Sequence, residues 1–189
     1  LMLQVALVIA LIGLSGCSFN FEWLSMLRAK RAIANQDQPA ALTIFAHLIA
    51  EYPDGSQALS AARLGARLAH LDVKNYPLAI QFYRHIILKS LDLEERKSAQ
   101  RYIAQIYFEN LLDYAQAVTE YEKLLNLGHH PQEAFRFRLN LAKAHYRLNN
   151  LSQALVEIDT ILLAKLSGDE TYEAKVLKAS VLVHSKQLA

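Results

Sequence analysis

The sequence predicts an all-α protein built from repeated helical hairpins, and three observations carry that expectation. Ala41, Ala79, Ala117 and Ala154 recur at spacings of 38, 38 and 37, each followed four residues on by Phe45, Tyr83, Tyr121 or Ile158. A second set, Ala66, Ala104, Ala142 and Ala179, runs in phase with the first at 38, 38 and 37, its first three members on the helices that precede those of Ala79, Ala117 and Ala154. In each set a small residue lets two helices approach, and in the first a large one a turn later fills the neighbouring space. Only six Gly and four Pro interrupt a chain rich in Ala, Leu, Gln, Lys and Glu, which are strong helix formers.

Periodicity and punctuation place helices at about 20–34, 38–51, 56–71, 76–89, 94–111, 114–127, 131–148, 151–165 and 169–187. Ser56, Asn75, Asp92, Asp113 and Asn150 stand where an N-cap oxygen satisfies the free amides of a helix start. Pro77 and Pro131 occupy early positions that tolerate a missing donor. Asp92 with Glu95, and Ser167 with Glu170, have capping-box spacing. The result is four hairpins and one further helix, whose expected role is to cover the last apolar face. Lys175, Lys178 and Lys186 give that helix a partly polar exterior.

The segment Gln38 to Pro53, with Ala41, Phe45 and Pro53, resembles the tetratricopeptide repeat, as does Tyr102 to Phe108 followed by Asp113 to Val118 and Tyr121. The period exceeds that of the family, which is roughly 34 residues. The first-helix Trp is absent, and Pro closes only one unit. Longer helices or turns are expected to absorb the surplus. The resemblance covers residues 21–189 and implies a right-handed solenoid of about four such hairpins plus a C-terminal capping helix.

An uncharged apolar stretch from Val5 to Leu14 ends in Leu14-Ser15-Gly16-Cys17, and Cys17 is the only cysteine. A short apolar run closing on small residues is the plan of a secretory signal, and it falls below the roughly 20 residues that span a bilayer. These residues resemble the bacterial lipoprotein signal with its Leu-(Ala/Ser)-(Gly/Ala)-Cys lipobox. The resemblance implies that residues 1–16 are removed, that Cys17 is acylated, and that residues 17–20 form a short tether. Leu1-Met2-Leu3-Gln4 carries no Lys or Arg ahead of the stretch, which fits a chain clipped upstream. By the sorting rule of enteric bacteria, Ser18 in place of Asp resembles the outer-membrane signal and implies a lipid-anchored, periplasm-facing location.

Composition narrows the chemistry. Twenty Lys and Arg against eighteen Asp and Glu are too evenly balanced to drive nucleic-acid binding by counterion release. With Cys17 committed to lipid, no thiol remains for a disulfide, a thiolate metal site or a nucleophile. His129-His130 ahead of Pro131 is the nearest approach to a metal constellation, but Glu133 alone does not complete a four-ligand shell, and a solvated inter-repeat turn is the favoured reading. The remaining histidines lack ligand spacing. Ser98, Ser152 and Ser167 have no nucleophile-elbow context, and no Gly-rich phosphate loop is present. No catalytic residue, cofactor site or metal site is therefore expected. Tyr83, Tyr107, Tyr114, Tyr121 and Tyr146 read mostly as filler between helices.

The first helices of successive hairpins carry a basic bias. Arg63 and Arg67 lie one turn apart, as do Lys143 and Arg147, and Arg101 holds the place of Arg63 one period later. In the tetratricopeptide family these helices line the concave face, which implies a stripe able to grip an acidic peptide or a C-terminal carboxylate. The competing reading is a solvated face with intra-helix ion pairs. In plan the chain is similar to the tetratricopeptide lipoprotein subunit of the outer-membrane β-barrel assembly machinery and to pilotins. These resemblances imply a non-enzymatic scaffold that binds other envelope proteins or peptides and assists assembly of an envelope complex. A regulatory adaptor of peptidoglycan-remodelling enzymes is the alternative. The expected partners are envelope proteins, acidic segments among them, and the membrane through the lipid, with no nucleic acid.

Overall fold

The computed structural model describes residues 21–164 and 167–187; the signal stretch, Cys17 and the tether lie outside them. Among the described residues there are nine helices and no strand. They are α1 (21–34), α2 (Gln38–Glu51), α3 (Ala58–Arg67), α4 (Tyr76–Lys89), α5 (Leu93–Gln105), α6 (Tyr114–Leu125), α7 (Pro131–Arg147), α8 (Leu151–Leu162) and α9 (Gly168–Gln187). Wider π-helical turns continue α3 over Leu68–Asp72 and α5 over Ile106–Asn110. Among the described residues no helix is long and apolar enough to cross a membrane. The chain divides into two compact units, one through Arg96 and one from Lys97 onward.

Part of the surplus over the family's repeat length lies in the wider π-helical turns. Val73 N–H donates to the Leu68 carbonyl at 3.0 Å and Leu111 N–H to that of Ile106 at 2.9 Å, each closing a loop of five residues where an α-helix closes four. The two wide turns hold equivalent places in consecutive repeats. Each hairpin then reverses through a residue in the left-handed region, Gln36, Lys74, Leu112 and Asn149, with φ of 61°, 58°, 53° and 61°. Their spacing is again 38, 38 and 37. The residue after each starts the second helix as its N-cap. Asp37 accepts from Ala40 N–H at 3.1 Å, Asn75 from Leu78 N–H at 3.2 Å, and Asp113 from Gln116 N–H at 3.1 Å. Asn150 departs from its expected role, because its side chain makes no cap bond.

In the first unit, Ala41 and Phe45 of α2, Ala66 of α3 and Ala79 and Tyr83 of α4 are buried in the repeat slots. Ser56 is not the cap expected of it. The helix begins at Ala58, and its start is served from α1: Gln57 N–H donates to the Glu22 carboxylate at 2.9 Å, and the Ser56 hydroxyl donates to it at 3.3 Å. A carboxylate there complements the positive end of the helix dipole. A Cβ on Gly55 would stand 2.5 Å from that carboxylate, so the bare backbone is what admits Glu22. The capping box expected of Asp92 and Glu95 does not close. Asp92 accepts from Glu94 N–H at 2.9 Å, whereas Glu95 is taken by Arg63 and the Ser90 hydroxyl.

In the second unit, Ala104, Ala117, Tyr121, Phe137 and Leu141 form one buried cluster, and Ala142, Ala154, Ile158 and Val181 another. The box at the start of α9 does close, with Ser167 N–H donating to Glu170 at 3.0 Å and Glu170 N–H to the Ser167 hydroxyl at 3.3 Å. Ala174 and Val181 of α9 are buried, but Ala179 is exposed, unlike Ala66, Ala104 and Ala142. The physical reason is that no second helix follows α9 among the described residues, so nothing there covers the side where the other three meet their partner. Tyr172, Val176 and Val183 also face outward, beside the expected lysines.

Candidate functional site

The five cations singled out on the first helices separate into two kinds. Arg63 is in a two-pronged pair with Glu95, at 2.6 Å through Nε and 2.8 Å through Nη2. That hydrogen bonding lowers the Glu95 pKa below its ordinary value and raises that of Arg63. Arg101 faces Glu133 at 3.9 Å and lies 5.5 Å from the Tyr102 ring, and Lys143 meets Glu173 at 3.0 Å. Arg67 and Arg147 point to solvent. Arg101 and Glu133 hold the places of Arg63 and Glu95 one period later, so one ion pair recurs in register between consecutive first helices. Much of the basic stripe therefore serves to join hairpins.

In the second unit, α5 and α7 flank a cleft of about 300 Å³ lined by Arg101, Tyr102, Gln105, Tyr121, Glu133, Arg136, Phe137 and Asn140. Its floor is aromatic. Phe137 and Tyr121 lie 6.5 Å apart, centroid to centroid, and Asn140 Nδ2 donates to the Tyr121 hydroxyl at 3.0 Å. Burial pushes the Tyr121 pKa up to about 12, so the phenol stays protonated. Above the floor, Arg136 is exposed, and Pro131 at N1 sets the start of α7 so that Glu133 falls in its first turn, opposite Arg101. The cleft thus offers guanidinium and amide donors over rings, with one carboxylate at its edge. On the other side of α7, a second cleft is rimmed by Arg136 and Lys143 and by Asp169, Glu170 and Glu173, so acids balance the cations there.

Gln105 and Asn140 escaped the sequence reading, which followed only cations. A signal existed: Ser98, Tyr102 and Gln105 precede Arg136, Asn140 and Lys143 by 38 each, so one face of α5 repeats on α7.

His129 does not sit in a solvated turn. Its side chain is 3% exposed, its Nε2 donates to the Leu124 carbonyl at 2.7 Å, and its ring meets Phe137 edge-on at 4.9 Å. It closes the end of α6 as a second donor to the Leu124 carbonyl, which also accepts from Leu127 N–H at 3.0 Å, with its ring against that of Phe137. Among the described residues no group of three His, Cys, Asp or Glu gathers to hold a metal.

No family model matches the sequence, and no curated protein matches it. Solved structures do. Nearly identical TPR-like repeats from a protein assigned as a kinesin light chain of Podospora anserina align with a TM-score of 0.55 at 15% identity, over 86% of this chain and 85% of that one. A thermophilic TPR protein of Thermus thermophilus aligns over 86% of this chain and 99% of its own at 18% identity, with a TM-score of 0.35 on which nothing rests. The first likeness, with the recurring slots and turns, shows the fold: an all-α repeat of tetratricopeptide-like hairpins.

Proposed function

We propose that the chain is a protein-binding scaffold without catalytic activity, held at the bacterial outer membrane by lipid on Cys17, where it assists assembly of an envelope complex. The binding part is carried by the α5–α7 cleft. Arg136 is exposed there, Arg101 is only loosely paired at 3.9 Å, and the amides of Gln105 and Asn140 stand beside them over Tyr121 and Phe137. Such a site suits an acidic segment or a terminal carboxylate, which takes charge-assisted bonds from Arg while an apolar neighbour rests on the rings. The anchoring part is supported by Leu14-Ser15-Gly16-Cys17 and Ser18.

Crosslinking from membranes, followed by mass spectrometry, tests both parts. The native chain is expected to capture a defined set of envelope proteins that Arg136→Glu loses, with circular dichroism and melting unchanged. Arg136 is the residue to reverse because it takes no part in the ion pairs that join hairpins. Equal capture by the variant would remove the cleft from consideration. Labelling with a radioactive fatty acid that persists in Cys17→Ser would remove the anchor.

A further inference from the structure

We propose that the outer face of α1 lies on an anionic phospholipid surface. At 3.6 residues per turn, Lys30, Trp23, Leu27, Arg31, Leu24, Arg28 and Phe21 fall on one half of this helix, and Glu22, Met26 and Ala29 on the other. The structure agrees, since those three are buried, whereas Phe21 is 61% and Trp23 57% exposed, and Leu24, Leu27, Arg28, Lys30 and Arg31 are exposed too.

The outward half has a polarity along its length. Its first two turns present aromatic and aliphatic side chains, and its later turns three cations. The one acid of the helix, Glu22, is turned inward to serve the start of α3, so no negative charge remains on the outer face. None of the three cations has an ion pair among the described residues. Rings and leucines beside Arg and Lys suit the boundary between acyl chains and headgroups, where indole prefers to lie and where long cationic stems cover apolar surface while their heads reach phosphate. An acidic protein would satisfy the cations, but it gives no reason for the exposed Phe21 and Trp23 beside them. The proposal rests on the lipid-anchor reading only for how the chain reaches the membrane. With Cys17 four residues ahead of Phe21, an acylated chain would bring this face to the bilayer first.

Trp23 is the only tryptophan in the chain, so its emission reports on this face alone. Full-length protein is mixed with vesicles of phosphatidylglycerol and phosphatidylethanolamine, or of phosphatidylcholine alone. The expected result is a blue shift and quenching by brominated acyl chains with the anionic vesicles, both weakened by salt. Each cation near an anionic surface adds about 1 kcal/mol, so Arg28→Gln, Lys30→Gln and Arg31→Gln together lower partitioning roughly 100-fold. All three are exposed, and circular dichroism checks that the variant folds. Flotation with the vesicles while Trp23 emission stays unchanged would overturn the proposal and leave the anchor standing, because residues 1–20 would then account for the association. A Trp23 already shifted and shielded without lipid would overturn it as well, since chain or a second copy would cover the face. Loss of acylation in Cys17→Ser with the Trp23 response intact supports this surface, whatever becomes of the anchor.

Discussion

The α3–α4 hairpin and the α5–α6 hairpin solve the same packing problem with opposite materials. In α3–α4, Phe82 lies against Gly65, so closely that a Cβ there would meet the ring at 2.7 Å. One period on, Gly65 becomes the fully buried Ile103 and Phe82 becomes Glu120, only 1% exposed. The buried Ala62, three residues before Gly65, becomes Gln100, whose amide donates to Glu120 Oε2 at 2.7 Å and to the Glu120 carbonyl at 3.1 Å. The α7–α8 hairpin repeats the second solution with Leu141 and with Arg138 donating to Glu157 at 2.8 Å. The repeat therefore preserves filled volume and satisfied polar groups, not residue type. Where the second helix supplies a ring, the first supplies a void. Where the first supplies an aliphatic chain, the second supplies a carboxylate and the first a donor to hold it.

The sharpest way to break this comparison is to give α3 the side chain that its equivalents carry. Gly65→Leu drives branched carbon into the Phe82 ring, and a loss of about 3 kcal/mol is expected from overpacking. Phe82→Ala alone costs a similar amount by leaving a cavity. Together they are expected to cost at least about 1 kcal/mol less than their sum, measured by urea unfolding of all four proteins in a double-mutant cycle. Strict additivity would mean that the exchange of volume between the two helices is accidental. A smaller effect is expected in the other hairpin. Glu120→Ala removes a buried acceptor from Gln100 and costs about 2 kcal/mol. Glu157→Ala, whose side chain is 19% exposed with Arg138 36% exposed, is expected to cost about half as much, because water replaces the lost partner.

The turns sharpen the comparison further. At φ 53°, Leu112 holds a left-handed conformation that its side chain disfavours, while Asn149 fills the equivalent place with a residue that tolerates it. Leu112 is 59% exposed, so Leu112→Gly forfeits little burial. It is expected to raise stability by about 1 kcal/mol in thermal melting, whereas Asn149→Gly changes it by only a few tenths.

These same turns show where sequence reading ends. Ala41, Ala79, Ala117 and Ala154 were legible because only a small residue fits a close helix crossing, so the constraint stamps the residue type. Asp113 and Asn75 were legible as caps for a similar reason, and Asp37 belongs to the same series one period earlier. Gln36, Lys74 and Leu112 announce nothing, because the backbone around them imposes their conformation. Glu22 reaches an amide 35 positions away, a contact that no local pattern records. The basic stripe was half legible. Its cations recur with the period, but Glu95, Glu133 and Glu173, which occupy Arg63, Arg101 and Lys143, each lie a whole hairpin further along the chain and become neighbours only when hairpins meet.

The smallest effect belongs to the Arg63–Glu95 pair, and pH is the way to isolate it. The Glu95 pKa is lowered below the ordinary 4.5, chiefly by the bond from Arg63 and further by the Ser90 hydroxyl, with burial opposing both. The folded state thus binds this proton less readily than the unfolded chain does. The pair's contribution is fully present above the unfolded pKa, and it drains away as pH falls through the lower folded value. Because the Arg63 side chain is 49% exposed and Glu95 24%, the contribution is about 0.5 kcal/mol, within the range of solvent-screened pairs. Stability of Glu95→Gln is expected to lie below that of the native chain at pH 7 and to converge with it as pH falls through the folded value, giving a shallower acid limb in urea unfolding. Arg63→Gln should reproduce that flattening, since either change removes the same bond. A native acid limb that both substitutions leave untouched would show that the recurring pair joins the helices by shape alone, its charge contributing nothing to holding them.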